Sequence, residues 1–228
     1  MTTRNSSNDT SKYHSRGRRA LRSAAQRGLL KPFLHAVLRV RVDGRDNLQT
    51  VDPARPLIVV ANHSSHFDAP LIMTSLPRPL GTRLAAAAAA DYFFTKWFSA
   101  KATRLFFNAF PVDRDGSGAH QGLAARLLAA GVPLLIFPEG TRSATGDLGQ
   151  FHTGSARLAL SGGATILPLT LVGAGAAWPK GRKVWRRGRP AVRVICHKAV
   201  CAEPDETAEQ LTERLQAVIE KDLRNSEN

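Results

Sequence analysis

The chain has 228 residues, an apolar fraction of 43% and a formal net charge of +14. That length accommodates one large domain with a real core and does not promise two, and that composition excludes wholesale disorder. The charge points to a polyanionic partner: nucleic acid, a phosphate-bearing substrate or an anionic membrane surface.

The opening stretch, MTTRNSSNDTSK, is polar and lacks the apolar segment of a secretory signal. Residues 1–15 read as a flexible basic tail. Residues 16–38 read as a basic helical segment on either side of Pro32, with Phe33, Leu34, Val37 and Leu38 on a buried face. Residues 1–45 hold eleven Lys/Arg against Asp9 and Asp43. On a helical wheel the basic residues from Arg16 to Lys31 fall nearly all round, which suits electrostatic adhesion to a surface better than deep insertion of an apolar face.

The remainder, residues 39–228, reads as one domain. RVRVDG (39–44) alternates and ends in a turn, as a strand does, and PLIVVA (56–61) is a continuous apolar run suited to a strand buried on both faces. Asp68-Ala69-Pro70 opens a helix, with Asp68 at the N-cap. The Ala-rich stretch from Leu84 to Phe107 reads as mainly helical. A strand follows near Phe110–Val112, a helix near Gln121–Ala130 and a strand at VPLLIF (132–137). SARLALS (155–161) is helical, TILPLTLV (165–172) and AVRVIC (191–196) are strands, and a last helix runs from about Glu206 to Leu223. Strands alternating with helices predict an α/β fold: a single domain with a mostly parallel central sheet flanked by helices, preceded by the basic helical segment.

Between the last two strands, WPKGRKVWRRGRP (178–190) carries six basic residues, two tryptophans and no acid. Tryptophan beside Lys/Arg suits the lipid headgroup level. The longest uncharged run, Ala164 to Pro179, is too short and too broken to span a bilayer. The expected location is therefore peripheral, on the cytoplasmic face of a membrane. Cys196 and Cys201 have neither metal-site spacing nor a disulfide framework and read as reduced and structural.

Chemistry concentrates after two of the strands. NHSSHFD (62–68) follows the apolar run, where α/β folds place their sites. Asp68 there can hold one imidazole nitrogen of His63 as N–H and leave the other free to take a proton. Asp68 as a plain helix cap and His63 as a turn residue is the simpler alternative. No third ligand pairs with His63 and His66 for zinc, and Ser64 and Ser65 lack a nucleophile elbow. LLIFPEGTRS (134–143) puts Glu139, Gly140, Thr141, Arg142 and Ser143 in one turn, where glycine permits close backbone approach and arginine offers a fork for phosphate. FPVDRD (110–115) offers a second arginine, Arg114, again after a strand.

In order, NHSSHFD (62–68), FPVDR (110–114), FPEGTRS (137–143) and ILPLTL (166–171) resemble the four blocks of the glycerolipid acyltransferase superfamily typified by lysophosphatidic acid acyltransferases. The resemblance covers about residues 38–200. It implies transfer of a fatty acyl group from acyl-CoA or acyl carrier protein to the free hydroxyl of a lysophospholipid, most simply 1-acyl-glycerol-3-phosphate, giving phosphatidate. By the same match His63 is the general base and Asp68 its orienter. Arg114, Glu139, Gly140, Thr141 and Arg142 hold the phosphorylated acceptor, and Pro168 shapes the acyl-donor side. No metal or cofactor is implied beyond the acyl donor as co-substrate.

Three departures bear on the acceptor: Asn108 and Ala109 stand where relatives commonly have glycine, His152 where lysine is common, and Thr170 where a small apolar residue or proline is frequent. A different lysolipid acceptor is thus an alternative. So, from other classes, are a thioester hydrolase and a non-catalytic basic protein that binds membrane or nucleic acid. The reading as an enzyme carries no nucleic-acid partner.

Overall fold

The computed structural model describes residues 10–89, 105–112 and 122–226. Among them seven strands form one sheet: β1 (Arg39–Asp43), β2 (Leu57–Ala61), β3 (Ala85–Ala89), β4 (Phe110–Val112), β5 (Leu134–Ile136), β6 (Thr165–Val172) and β7 (Ala191–Cys196). Their order is β1-β7-β6-β2-β5-β3-β4. Only the β6–β7 pairing is antiparallel. The expected mostly parallel α/β sheet is present.

The helices are α1 (Ser11–His14), α2 (Arg16–Ala25), α3 (Lys31–Val37), α4 (Asp68–Ser75), α5 (Arg78–Gly81), α6 (Leu123–Ala129), α7 (Gly154–Gly162), α8 (Ala174–Ala177) and α9 (Ala208–Arg224). They cover both faces of the sheet, and β2 shows why its sequence is apolar throughout. Leu57, Val59 and Ala61 join a core with Leu34 and Leu38 near α3 and Leu71 and Ile72 of α4. Ile58 and Val60 turn the other way, into a core with Leu127 of α6, Ala156 of α7 and Leu211 and Leu215 of α9. Period-two side chains buried on both faces leave no polar position.

The Ala-rich stretch departs from expectation. Ala85–Ala89 is strand β3, with Ala85 and Ala86 opposite Leu134 and Leu135 of β5, and Ala87 opposite Phe110 of β4. Alanine's helix preference is worth only tenths of a kcal/mol per residue, so pairing on both edges and burial between two layers override it. Leu105 to Phe107 is helical, and residues 90–104 between them lie outside the described residues.

The N-terminal segment is helical from Ser11 and is fastened to the domain by polar side chains. Arg22 is buried, and its guanidinium donates to the carbonyls of Leu105 and Thr82 and, at 2.7 Å, to Asn108 Oδ1. These acceptors are neutral, and burial, reinforced by Arg18, lowers the Arg22 pKa to about 10. Gln26 donates to the Phe106 carbonyl at 2.7 Å. One arginine of the all-round basic wheel thus points inward, and the exposed Leu21 and Leu29 show that apolar side chains face outward in exchange. No helix among the described residues is long and apolar enough to cross a membrane.

Because β2, β5 and β6 run parallel, the segments following them meet at one end of the sheet, and Asn62 locks that end. Its Nδ2 donates to the Leu171 carbonyl at 3.0 Å and its Oδ1 accepts from the Leu171 N–H at 2.8 Å, so the side chain continues the β2–β6 ladder for one more step. Asn62→Ala leaves two buried backbone groups unpaired at about 1–3 kcal/mol each. The expected result is a loss of at least about 2 kcal/mol, read as a lower urea midpoint at unchanged m-value.

Candidate active site

The turn after β2 is organised around one oxygen. Asp68 Oδ2 accepts from the Ser64 N–H at 2.8 Å, the Ser65 N–H at 2.7 Å and His63 Nδ1 at 2.8 Å. Asp68 is the first residue of α4, with Phe67 at the N-cap, and its carboxylate reaches back to the preceding turn. It does not cap its own helix, which removes the simpler reading of the residue. With an acid that is wholly buried and accepts at Nδ1, the His63 proton sits on Nδ1 and the Nε2 lone pair is free. The His63 side chain keeps 22% exposure, and its ring stacks on Phe137 with centroids 4.0 Å apart and planes 17° apart.

The turn after β5 grips the same histidine by its backbone. Ser143 N–H donates to the His63 carbonyl at 2.8 Å, and the His63 N–H donates to Glu139 Oε1 at 2.5 Å. Glu139 Oε2 accepts from the Gly149 N–H at 2.9 Å. Burial raises the Glu139 carboxyl above the usual carboxylate range, against the pull of those two N–H donors. Gly140 has φ +68, so glycine is needed there for the turn itself. Its Cβ position faces the His152 ring at 3.4 Å, which places His152 beside this turn.

Thr141 and Arg142 face outward from the turn. Lys180 Nζ lies 3.2 Å from Thr141 Oγ1 and 3.1 Å from the Arg142 carbonyl. The Arg142 guanidinium meets the His66 ring, 2.6 Å from Nδ1 and in contact with Nε2, and that ring lies 4.7 Å from the Trp178 ring. Partial desolvation, with Arg142 adding to it, lowers the His66 pKa, so the ring meets Arg142 as a neutral acceptor. Arg142 and Lys180 therefore lie together on the outer side of the turn that grips the His63 backbone. Lys180 and Trp178 belong to the basic loop, whose proximity could not be read from their distance along the chain.

Arg114 lies outside the described residues. Pro168 is buried inside β6, opposite Val60. Thr170 is fully buried, with its hydroxyl 2.8 Å from His197 Nε2. Cys196 is buried, its thiol pushed up to about 11, and Cys201 is exposed; neither is in a disulfide. Among the described residues no three His, Cys, Asp or Glu side chains converge as a metal-ligand set. The two serines sit in this turn through their backbone N–H groups, and Ser65 Oγ also donates to the Trp178 carbonyl at 2.9 Å.

Residues 39–172, which include His63, Asp68 and the Glu139–Arg142 turn, match the family described as Acyltransferase. The chain belongs to the acyltransferase family. A 1-acyl-sn-glycerol-3-phosphate acyltransferase of Chlamydomonas reinhardtii is 30% identical over 188 residues, 81% of this chain and 53% of its own length. A lyso-ornithine lipid O-acyltransferase of Pseudomonas aeruginosa is 34% identical over 122 residues, 52% of this chain and 44% of its own. Among solved structures, the 1-acyl-sn-glycerophosphate (LPA) acyltransferase of Thermotoga maritima superposes with a TM-score of 0.73, covering 95% of this chain and 86% of that one, at 24% identity. That last likeness is one of fold. The chain spans about half the length of the first relatives it matches.

Proposed function

We propose that this chain transfers a fatty acyl group from a thioester donor, acyl-CoA or acyl carrier protein, to the free hydroxyl of a lysophospholipid, with 1-acyl-glycerol-3-phosphate as acceptor and phosphatidate as product. The observation that carries it is the His63–Asp68 pair, whose turn is joined through the His63 backbone to the turn that bears Arg142. The acceptor hydroxyl gives its proton to Nε2 as its oxygen attacks the thioester carbonyl. The tetrahedral oxyanion then collapses, the C–S bond breaks, and the thiolate leaves and takes the proton. Arg142 and Thr141, with Lys180 alongside, suit the acceptor phosphate, Gly140 shapes their turn with its N–H given to the Phe137 carbonyl, and Arg114 adds a second arginine. Pro168, buried in β6, acts on the donor side through packing alone.

The test is thiol release from palmitoyl-CoA with and without lysophosphatidate, repeated with acyl carrier protein as donor. Acceptor-dependent release supports the transferase. Free fatty acid formed without acceptor replaces it with a hydrolase, and no release with any lysolipid overturns it. The relative that acylates a lyso-ornithine lipid favours a second acceptor, and that lysolipid belongs in the same assay.

The acceptor and product are lipids, and we place the site end of the molecule against an anionic membrane surface. β7 runs opposite to β6, so the 178–190 loop, Arg39 and the end of α3 all lie at that end. There Val184 is 67% exposed, and the half-exposed Phe33 packs edge-on to Trp185 at 5.3 Å. Basic residues near such a surface contribute roughly 1 kcal/mol each. The protein should float with phosphatidylglycerol vesicles, more weakly at high salt, and Val184→Asp should reduce flotation. Salt-sensitive retention on DNA with no flotation would favour the nucleic-acid reading.

A further inference from the structure

Glu139 lies in the turn that family resemblance gives to the acceptor, yet its carboxylate is taken up by the protein's own backbone. It is 7% exposed, and each oxygen already accepts a backbone N–H: His63 on one, Gly149 on the other. The two donors come from different elements, the turn after β2 and the segment leading to α7, and the carboxylate is what joins them. Together with Ser143 N–H on the His63 carbonyl, it fixes the His63 backbone on both sides. Asp68 fixes Nδ1 and Phe137 lies against the ring face, so Nε2 is held in one direction.

We infer that Glu139 is a positioning residue for His63, and not a ligand of the acceptor. The inference depends on the acyltransfer reading only for its kinetic consequence; the contact itself is independent of it. A carboxylate accepts at both oxygens, whereas a glutamine accepts at one and must turn an N–H₂ against the other N–H donor. Glu139→Gln therefore breaks one of the two ties. A second variant reaches the same carboxylate without altering it: a Cβ at Gly149 would lie 2.9 Å from Glu139 Oε2, so Gly149→Ala pushes the carboxylate from its seat. Gly149 has no left-handed φ that alanine would resist.

The experiment pairs backbone NMR with kinetics on the full chain. The His63 amide proton, bonded to a carboxylate, is expected well downfield with 15N-histidine labelling, and should move upfield in both Glu139→Gln and Gly149→Ala. Misplacing a base by about 1 Å costs on the order of 10²-fold in rate. For each variant kcat should fall by up to that factor with the KM for lysophosphatidate held. The double variant should be no worse than the worse single one, because both act through one contact. A His63 amide that stays put in both variants overturns the inference, whatever the activity. A moved amide with raised KM and unchanged kcat also overturns it, returning Glu139 to the acceptor. If the wild type transfers acyl groups to no lysolipid, the acyltransfer reading fails, and the amide shift still decides whether Glu139 holds His63.

Discussion

His63→Ala should lower acceptor-dependent thiol release by about 10²–10⁴-fold, the range a well-placed general base supplies. The structure separates that loss from unfolding. The backbone ties of His63, from its N–H to Glu139 and from Ser143 to its carbonyl, survive removal of the ring. Asp68 keeps both serine N–H donors. What is lost is the stack on Phe137 and the partly exposed imidazole, so the melting temperature should change little. Release measured as free thiol, beside a thermal melt of the same sample, checks both halves. Activity that survives in the variant would remove His63 from the mechanism and leave acyl transfer to some other base.

How far the sequence discloses this depends on which forces set each element. β6 and β7 have the limits expected, and β2 differs only at its first residue, because burial on both faces or a clean alternation leaves a mark in every residue. β3 left a mark of the wrong kind. Five alanines carry a helical preference, and nothing local reveals that Leu134 and Phe110 wait on either side. The N-terminal segment misleads in a similar way: Arg22 looks like one more surface charge until the carbonyls of Thr82 and Leu105 are in place around it.

In the site, the two residues that are close in the chain were legible, and those joined across the fold were not. His63 and Asp68 are five residues apart, so their pairing can be argued from spacing. The grip on Leu171 by Asn62 spans 109 residues and that of Glu139 on His63 spans 76. Glu139 was legible as belonging to the site through its block, but which way its carboxylate faces depends on Gly149, a residue no spacing rule picks out. Lys180 and Trp178 meet the turns after β5 and β2 only because β7 is antiparallel to β6 and returns the basic loop to the site end.

Asp68→Asn distinguishes orienter from helix cap, because asparagine caps helices as well as aspartate does. Were capping the role, the variant would retain both stability and activity. The geometry says otherwise. Asp68 Oδ2 takes three N–H donors, and Oδ1 is buried with no partner. An asparagine that keeps its oxygen toward those donors puts its amide at the Oδ1 position, a buried donor left unpaired at about 1–3 kcal/mol, and it gives up the charge that strengthens the three bonds. Turned the other way, it sets N–H against N–H and drives the His63 proton onto Nε2, where the ring can no longer act as base. Either orientation predicts a lower melting temperature and a fall in thiol release approaching that of His63→Ala, with the double variant no worse than the single. The contrast between the two variants is the decisive reading: His63→Ala should lose rate alone, while Asp68→Asn should lose rate and stability together, because Asp68 holds both the His63 ring and the turn that presents it.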